Sequence, residues 1–336
     1  MASLRARRIL LAAVGEFIAT GDPVASRDLC AREGIELSPA SVRAVLAELE
    51  VEGYLAKPHA SAGRVPTEKG FRAFADAMVA AASQLSAPTD EIERRYSDAE
   101  PGIEGMMRHA VKVLADLSGV ASLVRPPRAD AWVLRELRFI WLRPKEVLAV
   151  VVAAHGAVQN RVMRLDDAPS ASEIERVNNL LQERIMGRTL AEMRARIADE
   201  LESGRAAQNS FQRRALELGQ EALASATPED ELLVEGAARL LERPEFASAD
   251  RTRQVVRTLE DQQRLLDLLD RTLQTPGIQV VIGSSDNEMG DNLSLVAARF
   301  GSGAVGVLGS TRMDYSQVVP LVRHTAMRLT RALGKG

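Results

Sequence analysis

A single cysteine, Cys30, is all the chain has. No intrachain disulfide can form, and no thiolate metal cluster can be assembled. Cys30 stands beside Leu29 in a short helical pattern, which predicts a small buried apolar residue; a nucleophile would want a nearby histidine, and nothing suggests one. Long hydrophobic runs are missing as well. The longest fully apolar stretch, Val147 to Ala154, is far shorter than the ~18–20 residues that span a bilayer. Arg5, Arg7 and Arg8 precede an apolar stretch, but Glu16, the helical spacing and the lack of a small-residue cleavage pattern argue against a secretion signal. A cytoplasmic protein without a membrane partner is expected. Charge of one sign is also scarce: 43 Lys and Arg against 46 Asp and Glu leave a net charge of −3. There is no internal repeat and no low-complexity tract.

The histidines are few and scattered. His109, His155 and His324 have no carboxylate or cysteine arranged around them, and His59 has no second nitrogen or sulfur ligand at useful spacing. No set of nucleophile, base and orienting group emerges, so neither catalysis nor a cofactor nor a metal is expected. Gly301-Ser302-Gly303-Ala304-Val305-Gly306 spells a dinucleotide fingerprint. That motif needs a helix after it, whereas Val305 to Leu308 continues as a strand, so a hairpin turn is the better reading.

What is present is an ordinary globular composition, 46% hydrophobic and 26% charged over 336 residues. At ~100–200 residues per domain, that length predicts two or three domains. Leu4, Ile9, Leu11, Val14 and Ile18 fall on one face of a helix over 4–19, stopped by Thr20-Gly21-Asp22-Pro23. Ser26 caps a short helix, Arg27 to Arg32, ending at Gly34. Ser38 is a good N-cap and Pro39 suits the first helical position, where no amide donor is needed. The helix they open carries Val42, Val45, Leu46 and Leu49 at core spacing and breaks at Gly53. Tyr54 to Lys57 predicts a strand, Pro58 to Gly63 a turn, and Arg64 to Pro66 a return strand. Thr67 caps a further helix with Phe71, Phe74, Met78 and Val79. Three helices, a small hairpin and a helix is the order of a winged helix-turn-helix.

Such a unit lays a helix N-terminus in the major groove of DNA. Ser38, Ser41, Arg43 and Ala44 are the candidates there, and Arg43 suits a bidentate contact to guanine; the alternative is a solvated Arg43 paired with Glu48 or Glu50. On the hairpin, Lys57, His59, Ser61 and Arg64 suit phosphate or minor-groove contact, on a turn made flexible by Gly63. Residues 1–75 hold ten Lys and Arg against nine Asp and Glu, a weak signal in itself.

Residues 83–104 resemble a linker with some helical content, followed by a helix over about 104–117. Strand patterns run from Leu134 to Leu142, Val147 to Ala154 and Val158 to Leu165. A charged helical stretch covers about 172–224, Leu232 to Leu241 is ambiguous, and one long helix is expected over about 249–273. Strands resume at Ile278 to Gly283, Ser294 to Phe300 and Ala304 to Gly309, before a last helix from about Tyr315 to Leu333. This layout suggests that the 130–165 and 278–310 strands share one sheet, with the block between them inserted. Leu265, Leu266, Leu268 and Leu269, with Val255, Val256 and Leu259, cover more than one helix face; burial in the fold or a dimer seam would account for them. Arg312 and Asp314 are expected in a structural or interdomain polar contact.

Several stretches resemble the bacterial heat-inducible transcription repressors of the HrcA family. They are Phe17 to Arg27, Leu37 to Arg43, the long run Glu52 to Thr67, Val281-Ile282-Gly283, and Gly306 to Tyr315. The family commonly has Asn where Ala44 stands, Pro where Ser310 stands, and a shorter loop at Ser284 to Glu288. The resemblance implies an α+β multidomain chain: a winged helix-turn-helix over 1–82, a linker over 83–104, a GAF-like α/β domain over 105–168 and 250–336, and an inserted dimerisation domain over 169–249. It further implies a homodimer that represses chaperone operons from an inverted-repeat operator on double-stranded DNA, kept active by chaperonin. A regulator controlled by a small-molecule effector in the GAF-like domain is the alternative, and an enzyme with an accessory DNA-binding domain a third.

Overall fold

The chain begins with α1 (Leu4–Thr20), α2 (Ser26–Cys30) and α3 (Pro39–Val51), followed by a two-stranded antiparallel ribbon, β1 (Leu55–Ala56) and β2 (Val65–Pro66), and α4 (Glu68–Ala81). The computed structural model describes residues 3–31, 35, 37–59, 62–82, 89–97, 102–203, 209–224, 232–283, 289 and 292–334. Gly34, Ser61 and the Ser284–Glu288 loop lie outside them. A helix as short as α2 is not stable alone. It is held because Leu29 is fully buried against α1 and α3, whose Ile9, Leu10, Val14, Val42, Leu46 and Leu49 close the same core. Ser38 caps α3, its hydroxyl accepting from the Ser41 amide at 3.2 Å, with Pro39 at the first helical position.

Beyond α5 (Thr89–Tyr96) and α6 (Ile103–Ser118), the body is built on a five-stranded antiparallel sheet. Its strands are β3 (Ala121–Arg125), β7 (Leu233–Glu235), β8 (Ile278–Ile282), β9 (Leu293–Phe300) and β10 (Gly303–Ser310), in the spatial order β7-β3-β10-β9-β8. Helices cover both faces, which is why β9 and β10 read as almost continuous apolar runs rather than as an alternation. Val296, Phe300, Val305 and Val307 face α6 and the last helix, α13 (Tyr315–Leu333). Leu293, Leu295, Ala297, Ala304 and Leu308 face α11 (Ala249–Glu260) and α12 (Gln262–Gln274). Leu265, Leu266, Leu268 and Leu269 are all buried there, so burial within the fold accounts for that cluster.

The second sheet corrects the expected layout. Strands β4 (Leu134–Arg143), β5 (Glu146–Ala153) and β6 (Val158–Arg164) form a separate three-stranded meander and do not join the 278–310 strands. They pack on α7 (Ala171–Ile185), and α8 (Leu190–Glu202) and α9 (Ser210–Ala224) complete that unit. The expected division at 168/169 therefore falls inside a packed unit, and 232–241 belongs to the body as β7 and α10 (Ala237–Leu241). The physical reason lies in the amphipathic strands: β5 alternates buried and half-buried residues, so it needs a cover on one face only. Two further differences follow from local chemistry. The 249–273 helix is broken at Asp261, whose carboxylate accepts from the Arg264 amide at 3.1 Å and starts α12 afresh. Strand β3 is buried along its whole length, so its sequence carries no alternation that would mark it as a strand. The Gly301-Ser302 segment is the β9–β10 hairpin turn, with Gly301 at φ +55°.

Candidate nucleic-acid interface

Side chains of α3 divide cleanly between core and solvent. Val42, Val45, Leu46 and Leu49 are buried, whereas Arg43, Ala44, Ala47 and Glu48 are exposed along the opposite side. Ser38 is exposed at the cap, and its hydroxyl donates to that of the half-buried Ser41 at 3.0 Å. Pro39 has no amide and those of Ser41 and Val42 are taken by Ser38, so the Ala40 amide and the exposed Arg43 are what this helix end offers to solvent. This is a surface that favours anions through both the helix dipole and an exposed cation.

The ribbon is fastened to that helix. Arg64, at the head of β2, turns inward to Glu50 on α3, with Nη2 3.2 Å from Oε2 and its side chain only 16% exposed. Glu50, by sequence a candidate partner for Arg43, takes Arg64 instead. Arg64 also exchanges two backbone hydrogen bonds with Val24, at 2.8 and 2.9 Å, adding the α1–α2 connection to the ribbon. Gly63 is required for that approach: a Cβ there would stand 2.5 Å from the Pro23 carbonyl oxygen. Close packing, rather than flexibility, is its role. Lys57 and His59 remain exposed on the outgoing arm. Lys69 is occupied elsewhere, donating to the Glu52 carbonyl at 2.8 Å with its ammonium 4.2 Å from the centre of the Tyr54 ring. Ser38, Ser41, Arg43 and Ala44 stand at the start of α3, and Lys57 and His59 on the outgoing arm of the ribbon that Arg64 ties to that helix; Ser61 lies outside the described residues.

This head is packed against the body. Phe74 of α4 meets the buried Tyr315 edge to face, ring centres 6.2 Å apart, and the Arg323 guanidinium donates to the Ala82 carbonyl at 2.8 Å. Arg312 reaches from the β10–α13 turn to Phe17 of α1, the expected interdomain contact, while Asp314 caps α13 by accepting from the Ser316 amide at 3.0 Å. Among the described residues, no cluster of three or more His, Cys, Asp or Glu could hold a metal ion, and no helix is long and apolar enough to cross a membrane.

An exposed anion-attracting helix end on a small head, joined by specific contacts to a sheet-centred body, is the plan of a transcription regulator. Residues 104–319 match the family described as HrcA protein C terminal domain. The chain is 45% identical to the heat-inducible transcription repressor HrcA of Sorangium cellulosum, over 99% of this chain and 98% of that one. It is 35% identical to the protein of the same name from Geobacter sulfurreducens, over 98% of each. It belongs to the HrcA family of heat-inducible transcription repressors. A crystal structure of a hypothetical protein shares the fold, with a TM-score of 0.64 at 23% identity, covering 100% of this chain and 99% of that one.

Proposed function

We propose that this chain is a homodimeric repressor that binds an inverted-repeat operator of chaperone operons, with its head acting as a winged helix. The observation that carries the reading is the outward face of α3, where Arg43 and Ala44 stand exposed beside a capped helix start while the opposite face is locked in the core. In this reading Arg43 meets base edges, Lys57 and His59 meet phosphate, and Arg64 acts through Glu50 by fixing the ribbon rather than by touching DNA. A two-fold operator demands a two-fold protein. The outer face of the β4–β5–β6 meander supports that, because Ile140, Leu148 and Val162 lie in one cross-strand row and Val152 and Val158 in another. Ile140, Val158 and Val162 are 45%, 51% and 52% exposed, an apolar patch suited to a second copy. The sheet topology favours an inserted dimerisation unit running from about Trp132 to Ala224, within a GAF-like body formed by the flanking segments. Chaperonin is proposed to keep the repressor active.

A gel-shift titration against an inverted-repeat chaperone operator, with a scrambled duplex as control, tests the reading with and without chaperonin. Preferential operator binding, raised by chaperonin, is the expected result. Equal affinity for both duplexes under either condition overturns it.

A further inference from the structure

We infer that the seam between head and body is a binding site for a small amphipathic carboxylate, an acyl or aryl group bearing one acid. A cleft of about 720 Å³ opens between α4, the β8–β9 edge of the sheet and α13. That volume falls within the ~300–1,000 Å³ typical of small-molecule sites. Its floor is apolar: Val79 comes from α4, Ile278 from the edge strand, Ala298 from β9, and Ala326 and Met327 from α13. Met327 is 44% exposed at the rim, an apolar side chain left in water.

Arg323 and Arg331 of α13 stand over this floor, Arg299 lines the cleft from the end of β9 at a position on the α12 face of the sheet, and the lining contains no Asp or Glu. Arg323 is half-buried and commits one nitrogen to the Ala82 carbonyl. Arg299 and Arg331 are exposed, and neither has a carboxylate partner among the described residues. The contrast with their neighbours is instructive. Arg328, also on α13, is paired with Glu93, and Arg312, just before that helix, stands near Glu245. Neither Arg299 nor Arg331 is neutralised by a carboxylate among the described residues, so the cleft concentrates positive potential over low-dielectric walls. A purely apolar ligand would leave that potential unused. A compact inorganic anion would leave the floor wet. One acid group on a hydrocarbon body matches both, and such a ligand would touch α4 and the body together.

Calorimetric titration of the full chain with decanoate, with decylammonium and with inorganic phosphate tests the inference. Decanoate is expected to bind once per chain, at least about tenfold more tightly than either other probe, and to raise the melting midpoint. The double charge reversal Arg299→Glu/Arg331→Glu alters two exposed side chains. It should keep the ligand-free melting midpoint and weaken decanoate about tenfold or more. Ala326→Trp, which fills the floor from α13, should abolish binding while leaving the arginines in place. Equal affinity for decanoate and decylammonium, or undiminished decanoate binding by the double variant, overturns the inference. So does phosphate binding as tight as decanoate. None of these measurements requires DNA, so they decide the site whether or not operator binding holds.

Discussion

The guanidinium of Arg312 lies 5.2 Å from the centre of the Phe17 ring, joining the turn after β10 to the last part of α1. Its Nε is 4.0 Å from Glu245, whose carboxylate also accepts from the Ser310 hydroxyl at 3.1 Å. Gly21, at φ +79°, closes α1 directly against the same guanidinium, leaving no room for a Cβ. One side chain therefore connects the body sheet to the head. Stacking of this kind is worth ~0.5–2 kcal/mol depending on exposure. Arg312→Ala is expected to lower the melting midpoint modestly and to speed proteolytic cleavage of the connection between α4 and α6. Arg312→Lys keeps the charge without the planar fork and should recover only part of the loss. Cleavage of Arg312→Ala at the parent rate would remove this contact from the coupling of head and body.

Within the head, Arg43 and Lys57 should separate specificity from general affinity. Arg43→Ala is expected to cost about 1–3 kcal/mol on the operator and much less on a scrambled duplex. Lys57→Ala should weaken both duplexes alike and make the salt dependence shallower by about one phosphate. Equal losses for Arg43→Ala on both duplexes would reassign that arginine to the backbone.

Arg64→Ala and Glu50→Gln should resemble each other, because the two side chains form one contact. Both are expected to lower the stability of the head while leaving the salt slope of DNA binding unchanged. A shallower slope in Arg64→Ala with unchanged stability would show that the pair opens on DNA and that Arg64 reaches phosphate.

The bared row on the meander gives a test of assembly. Ile140→Glu/Val162→Glu places charge on two side chains that point away from the sheet's own core. Sedimentation should shift from dimer to monomer, with unchanged circular dichroism and weaker operator retention. A dimer that survives both substitutions would place the interface on another surface.

In the body, Arg125 of β3 is 3% exposed and pairs with Asp270 of α12 at 2.9 Å. Removing one partner of a buried pair leaves an uncompensated charge, at about 3–5 kcal/mol. Asp270 is one-third open to water, so Asp270→Ala should fall near the lower end, about 3 kcal/mol in chemical denaturation. Arg125→Met/Asp270→Leu should recover most of that loss. A double variant no better than Asp270→Ala would mean that Arg125 contributes through packing rather than charge.

Acid should weaken the fold through His155. Its ring meets Trp132 edge to face, centres 5.4 Å apart, and burial holds its pKa below the ordinary 6.5. The unfolded chain then takes up the proton first. The contribution is fully present above about pH 6.5 and is lost as the pH falls through the folded-state value. The melting midpoint should drop as the pH falls below about 6.5, and His155→Phe should flatten that drop. An unchanged slope in His155→Phe would assign the acid sensitivity to other groups.

The sequence by itself determined the local elements whose signals are short-range. Ser38-Pro39 starts α3, the apolar spacing of Val42, Val45, Leu46 and Leu49 orients it, and Thr67 caps α4. The outward placement of Arg43 follows from that spacing alone. Tertiary structure decided what depends on partners distant in the chain. Strands β4 to β6 alternate as β-strands must, but nothing in the alternation says which sheet they join; that was settled by α7, which covers their apolar face. Arg64 and Arg43 are both basic residues near a helix end, yet only the fold turns one onto Glu50 and leaves the other in water. Side-chain periodicity is a property of neighbours in sequence, whereas pairing of charges and of sheets is a property of neighbours in space.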